Sequence, residues 1–406
     1  MDPQSVTRPF YPGISRYNHE KTLKNAITRG IITPGDEDLI REYVTEIQAP
    51  RQISDNQVNK VTTILTLWRR FILVPYLEIK VGSVFTAIQS LKTGKSLKGT
   101  PFKQNTIHDY LVHLKAFLIW MIENQYIALP LQKIEKISPP PIDFKTTLPD
   151  NLLTEDEVKS LISVSRDSRD RAFFATLYES GMRIGEVCRL TWGNVSFDEW
   201  GVKVYITPDI NKKTEKQRYC RLTTAREYLA GWKSDYHPGE PLPTSLVFIT
   251  RQGNAFDNAL VIKLISRTVS RAGIQKKVHP QIFRKTRITH MIAQNFQETV
   301  IKQTMWGNIN TPMLRTYANL SERDIDGEFL TRAGIQKRVE ESARPLSPRP
   351  CPRCHTINGP LTNYCSNCGM PLVEKAMKNL EELKEWLFVQ HPEIVMQYLG
   401  EKMEKS

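Results

Sequence analysis

Apolar residues recur at helical spacing through Val58, Ile64, Leu65, Trp68, Phe71 and Ile72, with polar residues between them. Such a period predicts a helix that buries one stripe. Ile107, Leu111, Leu114, Phe117, Leu118 and Met121 form a second stripe and predict a helix over Thr106–Asn124. The pattern stays helical from residue 16 to 137 and reads as a small all-α bundle. An irregular arm, residues 1–15, precedes it with Pro3, Pro9 and Pro12. Arg69, Arg70, Lys92, Lys95, Lys98 and Lys103 punctuate the bundle. They are either a solvated basic face or cations that lie on a DNA backbone.

Ser138-Pro139-Pro140-Pro141 interrupts this pattern. Successive prolines disfavour helix, so residues 138–144 read as a stiff linker. A second domain, residues 145–335, opens with Thr154-Glu155-Asp156-Glu157, a capping box before an apolar helical run. A helix over Arg169–Ser180 stops at Gly181, and Arg183 lies in the turn. Helix is expected to resume over Gly185–Trp192. Val202–Thr207 and Arg218–Thr223 alternate as strands, with Asn211–Lys216 turning between them and Lys213 at the tip.

A helix is expected to begin near Thr224. A strand over Leu246–Thr250 and a helix after Asp257 follow. His279-Pro280 opens another helix, in which Arg284 and Arg287 sit one turn apart and share a face. An arginine at Arg287 commonly makes an ion pair. After Lys302–Asn308, Thr311 caps a last helix with Pro312 at its first position. That helix would present Tyr317 within its second turn.

Residues 344–350, Arg-Pro-Leu-Ser-Pro-Arg-Pro, read as a second linker. Cys351-Pro-Arg-Cys354 and Cys365-Ser-Asn-Cys368 follow, separated by ten residues. Two Cys-x-x-Cys pairs at this spacing indicate one four-thiolate zinc site, so residues 351–372 read as a zinc ribbon. Four protein ligands leave no open position, so the zinc is structural, and neighbouring His355 is unnecessary as a ligand. The tail, residues 373–406, places Met377, Leu380, Leu383 and Leu387 at helical spacing. It reads as an amphipathic helix that packs on its own molecule or on a neighbour.

The chain has 406 residues, enough for two or three domains. Lys and Arg number 56 against 43 Asp and Glu, a net charge of +13. That excess favours a polyanionic partner, nucleic acid first and an acidic membrane surface second. No apolar run is long enough to span a bilayer, because the best candidate, Leu114–Met121, is short and contains Lys115. The N-terminus carries no signal-peptide pattern. A cytoplasmic protein with no membrane partner is the expectation. Scattered Cys188 and Cys220 fit reduced packing residues. Arg183, Lys213, Arg284 and Tyr317 together make a phosphodiester-attacking site plausible.

These residues resemble a family. Glu179-Ser-Gly-Met-Arg-Ile-Gly-Glu-Val187, followed by Leu190, Thr191 and Trp192, resembles the first arginine box of the tyrosine recombinases, the phage integrase family. Phe283-Arg284-Lys285 to Thr289-His290 resembles the second box, and Trp306-Gly307-Asn308 to Tyr317 the nucleophile box. Residues 16–137 resemble the family's core-binding, SAM-like domain, and the zinc tail resembles archaeal members. The resemblance implies a multidomain fold: an all-α bundle, a mainly α catalytic domain with small β-hairpins, and a zinc ribbon.

The resemblance also implies the roles. Arg183 and Arg284 would clamp the non-bridging oxygens of a scissile phosphate, and Glu186 is the acidic residue that usually follows the first arginine. Tyr317 would attack and form a 3′-phosphotyrosine. Lys213 would protonate the leaving 5′-oxygen; Lys212 and Lys216 are neighbouring candidates. Gln281 and Asn308 stand where the family usually has His, and His or Trp, and would hydrogen-bond the phosphate. Neither amide can act as a base at neutral pH. Bond energy is kept in the covalent link, so neither a catalytic metal nor a nucleotide is required.

The implied partners are double-stranded DNA bearing a recombination site, four protomers on two such sites, and an accessory DNA-bending protein. The implied biology is integration or excision of a mobile element such as a provirus. Two other readings fit the same residues. One is a non-cleaving DNA-binding regulator, favoured by Gln281 and Asn308. The other is a topoisomerase, which shares phosphotyrosine chemistry.

Overall fold

The computed structural model describes residues 18–50, 53–97, 99–144, 149–210, 216–236, 239–316, 329–330, 333–334, 346–394 and 396. The chain divides into one unit of Pro12–Thr146 and another that includes Thr147–Ser406. No described helix is long and apolar enough to cross a membrane.

The first unit is helical: α1 (His19–Thr28), α2 (Pro34–Gln48), α3 (Asp55–Trp68), α4 (Val81–Thr93), α5 (Gln104–Glu123) and α6 (Leu131–Glu135). The stripes expected on α3 and α5 meet in one core, where Trp68, Tyr76 and Phe117 are fully buried. Thr33 and Asp36 form a capping box on α2. Asp36 also accepts from the Tyr76 backbone N–H at 2.8 Å and pairs with Arg69 at 2.9 Å. Arg69 was read as part of a basic face; its side chain is instead 8% exposed. A buried cation needs a carboxylate partner, and Asp36 supplies it.

The proline segment lies along α5. Gln104 Nε2 donates to Pro141 O at 2.7 Å, His108 Nδ1 to Pro140 O at 2.6 Å, and Asn105 Nδ2 to Asp143 O at 2.8 Å. Side-chain donors on the first turns of α5 thus engage carbonyls that proline geometry leaves without a ladder.

The second unit begins with α7 (Glu155–Ser163), capped as expected: Glu157 N–H donates to Thr154 Oγ1 at 3.1 Å and Thr154 N–H to Glu157 Oε2 at 2.8 Å. Next come α8 (Ser168–Ser180) and α9 (Ile184–Val187). Helix does not continue to Trp192. Val247 N–H donates to Leu190 O at 2.7 Å and Thr191 bridges Leu246, so tertiary pairing ends the helix. The residues expected as a strand over Leu246–Thr250 make only isolated bridges, through Leu246 and Ile249.

A three-stranded antiparallel sheet follows, in the order β1 (Val195–Asp198), β2 (Gly201–Ile206), β3 (Arg218–Leu222). The β2–β3 pair was anticipated, with Ile206 opposite Arg218 in register; β1 was not.

Four helices follow: α10 (Arg226–Ser234), α11 (Asn258–Arg271), α12 (Pro280–Ala293) and α13 (Glu298–Trp306). One core gathers Phe173, Phe174, Phe248, Phe256 and Phe283. A smaller cluster joins Ile288 and Met291 of α12 to Ile301, Met305 and Trp306 of α13 and to Leu314. Pro312–Thr316 forms a 3-10 turn rather than the expected α-helix.

Strands β4 (Arg349–Pro350) and β5 (Ile357–Asn358) pair antiparallel near the cysteine cluster, and α14 (Glu374–Gln390) follows. Cys188 and Cys220 are buried and unbridged.

Candidate active site

Helix α8 ends at Gly181, where φ is +56°. Only glycine adopts this left-handed turn freely. The space matters as well: a Cβ here would lie 2.8 Å from Met305 Sδ. The chain then reverses and sets Arg183 at the start of α9.

Glu186 folds back to hold Arg183. The Arg183 backbone N–H donates to Glu186 Oε2 at 2.7 Å, and Nη1 donates to Oε1 at 3.0 Å. Arg183 keeps 22% of its side chain exposed, whereas that of Glu186 is 3% exposed. Burial works to raise the Glu186 carboxyl, but Arg218 and Arg183 outweigh it and hold its pKa below the ordinary value.

Arg284 projects from α12 and is 2% exposed. Its Nη1 donates to Gly181 O at 2.6 Å and its Nη2 to Met305 O at 2.7 Å. Its guanidinium sits 5.3 Å from the Trp306 ring centroid. Both carbonyls lie at helix C-termini, α8 and α13, where partial negative charge favours a cation. Arg284 therefore fastens the turn that carries Arg183 to the helix that leads toward Tyr317. Arg287, one turn further along α12, has its guanidinium carbon 5.7 Å from the Tyr178 ring centroid.

Asn308 is half-buried and follows Gly307, whose φ is +65°. Its Oδ1 accepts from Asn310 N–H at 3.1 Å. A Cβ on Gly307 would stand 3.2 Å from Gln217 O and 3.3 Å from Lys216 Cβ. The end of the lysine-bearing turn is thereby packed beside Asn308. Gln281 is exposed in the first turn of α12. Thr311 Oγ1 accepts from Met313 N–H at 3.3 Å, and buried Leu314 pins the following turn. Tyr317 and Lys213 lie outside the described residues.

The sequence reading passed over Arg218. Its side chain is 1% exposed; Nη2 donates to Glu186 Oε2 at 2.7 Å and Nε to Thr304 O at 2.9 Å. A signal was available. Strand alternation places Arg218 on the same face as Cys220 and Leu222, and that face is buried. An arginine on an inward face calls for a buried acid.

The four cysteines expected to bind zinc converge: their Sγ atoms all lie within 4.8 Å of one another. Cys351 and Cys368 Sγ are 3.6 Å apart, and Cys354 and Cys365 Sγ 3.5 Å. A tetrahedral zinc with Zn–S bonds of about 2.3 Å needs S···S edges of about 3.8 Å. The donor set fits that ion and leaves it no open position. Each pair forms the same knuckle. Cys351 N–H donates to Thr356 O and Cys365 N–H to Met370 O, and a left-handed residue, His355 or Gly369, follows the second cysteine.

The ribbon is seated on α10. Gly359 N–H donates to Glu227 Oε2 at 3.2 Å, and the Thr362 hydroxyl donates to the same oxygen. Leu346, just before it, is buried in the second unit's core. Glu179 orders the start of α10 by accepting from Thr223, Thr224 and Ala225 N–H at 2.7, 3.0 and 2.8 Å.

Residues 151–323 match the phage integrase family. This span contains Arg183, Arg284 and Tyr317. Residues 151–323 carry a domain of the phage integrase, or tyrosine recombinase, family. Transposase A of transposon Tn554 from Staphylococcus aureus is 28% identical over 187 residues, 44% of this chain and 51% of the relative. The chain thus spans about half the length of that curated relative. A tyrosine recombinase of Thermosipho africanus is 26% identical, covering 58% of this chain and 79% of the relative. XerC of Xylella fastidiosa is 28% identical, covering 58% and 73%. These relatives are bacterial, and the archaeal likeness of the zinc tail finds no support among them.

The XerH site-specific recombinase bound to palindromic difH substrate shares the fold, with a TM-score of 0.55 and 14% identity. The alignment covers 81% of this chain and 92% of that one. The Tn1549 transposon integrase in complex with transposon right end DNA has a TM-score of 0.54 and 16% identity, covering 73% and 99%. The tyrosine recombinase fold, mostly helical with small antiparallel sheets, is the architecture described above.

Proposed function

We propose that this chain is a site-specific DNA recombinase that cuts and rejoins DNA through Tyr317. The observation that carries the reading is the joint fixing of Arg183 and Arg284. One is held by Glu186, the other by the carbonyls of Gly181 and Met305, and Gly181 lies beside both. Family membership and the DNA-bound recombinases of the same fold support the partner class.

In this reading Arg183, still partly exposed, grips a non-bridging phosphate oxygen in the fork geometry that only guanidinium offers. Arg284 supplies fixed positive charge for the transition state. Tyr317 attacks phosphorus, forming a 3′-phosphotyrosine and releasing a 5′-hydroxyl. Lys213 protonates that leaving oxygen. A free phenol has a pKa of about 10, so the attack requires loss of its proton as the bond to phosphorus forms. Gln281 and Asn308 hydrogen-bond the phosphate without acting as bases. The relatives' names, a transposase and a transposon integrase, support work on a mobile element. Residues 16–137 would grip the DNA from their own unit, four protomers would assemble on two sites, and one structural zinc would be held by Cys351, Cys354, Cys365 and Cys368.

Covalent trapping tests this. Nicked suicide duplexes drawn from DNA flanking the protein's own gene are expected to give a denaturation-resistant adduct that Tyr317→Phe abolishes. Transfer to a second duplex distinguishes a recombinase from a topoisomerase. Sequence-specific binding without any adduct would overturn the reading in favour of a non-cleaving DNA binder.

A further inference from the structure

We infer that Arg218 is a positioning residue for the cleavage step, acting through Glu186 on Arg183 and through Thr304 on the helix that leads to the nucleophile. The inference rests on the recombinase reading and deepens it.

The Glu186 carboxylate is shared. Its Oε1 accepts from Arg183 Nη1, and its Oε2 accepts from both Arg183 N–H and Arg218 Nη2. Two guanidiniums thus meet one carboxylate and leave one positive charge over, matching the single charge of a phosphodiester. Arg183 is the partly exposed member and the one able to touch a ligand. Arg218 is closed off from solvent and cannot touch DNA. What it can do is set where the carboxylate sits, and so where Arg183 points.

Its other contacts reach the remaining parts of the site. Arg218 opens β3, two residues after Lys216. Its Nε donates to Thr304 O in the last turn of α13. Its Cβ lies 3.6 Å from the place a Cβ on Gly307 would occupy, one residue before Asn308. One buried side chain therefore joins Glu186, which holds Arg183, to the last turn of α13 just ahead of Asn308. Buried Nη1 has no hydrogen-bond partner among the described residues. Leaving a guanidinium N–H pair unmatched is costly, and a core selected for stability alone would favour an apolar residue of similar size.

The test compares wild-type full-length protein with Arg218→Met and Arg218→Lys on the nicked suicide duplex. Duplex affinity, thermal melting and single-turnover adduct formation are measured for each. Arg218→Met is expected to slow adduct formation about 100-fold, the scale of a misplacement of about 1 Å, with affinity and melting close to wild type. Arg218→Lys is expected to recover part of the rate. A double-mutant cycle with Arg183→Lys is expected to be strongly non-additive, since both act through Glu186. Loss of rate in proportion to lost melting temperature and affinity, additive with Arg183→Lys, would overturn the inference in favour of plain stabilisation. Equal adduct formation by wild type and Arg218→Met would overturn it alone. Absence of an adduct from wild type would overturn the recombinase reading and this role with it.

Discussion

Glu186 gives the site an acid-sensitive link. Its folded pKa lies below the ordinary value of 4.5 because Arg218 and Arg183 outweigh the opposing effect of burial. A depressed carboxyl stabilises the fold at pH values above 4.5, and that contribution is lost as pH falls through the folded value. Urea midpoints measured from pH 7 down to pH 3 are expected to drop for wild type across this window. Glu186→Gln is expected to flatten that part of the curve while lowering stability at pH 7. An unchanged acid limb in the variant would assign the sensitivity to other carboxylates. Glu179 and Glu186 were both visible in the first arginine box, but their partners were not. Thr223, Thr224 and Ala225, which donate to Glu179, and Arg218, which donates to Glu186, come from segments distant in sequence, and local patterns carry no record of such pairing.

At the scale of elements, helices with strong local signals were legible. Thr154 with Glu157, Asp257 before α11 and Pro280 at the start of α12 all mark helix starts where the structure has them. Prediction failed where tertiary pairing took over. Leu190 and Thr191 left helix to pair with Val247 and Leu246, and the 3-10 turn at Pro312–Thr316 is held by Leu314 against Trp306. β1 was missed although Val195 and Phe197 alternate ahead of Gly201, because a four-residue strand is too short to stand out.

The cysteine ribbon was legible because metal spacing is a local rule. Metal analysis is expected to find one zinc per chain. A chelator with thiol reductant is expected to raise amide exchange across residues 351–372 while α8 stays protected, since a metal held by the four cysteines would stand in for a hydrophobic core there. Simultaneous exposure of α8 would show that ribbon and core open as one.

For the whole molecule, the net charge of +13 predicts that DNA affinity falls steeply with salt. Between 50 and 200 mM salt a loss of about 1,000-fold is expected if six or more phosphates are contacted. Filter binding or fluorescence anisotropy across that range checks it, and a flat response would leave the basic excess without a role in binding. Arg69 contributes nothing to this total at the surface, because Asp36 holds it inside the first unit.

The seating of Leu346 in the core has a mechanical consequence. The ribbon is moored twice, by Leu346 upstream and by Gly359 and Thr362 on Glu227. A single backbone cut anywhere between Leu314 and Leu346 would therefore not release it. The two pieces would stay together as a nicked whole, separable only by denaturation, and migration under native conditions would not register the break.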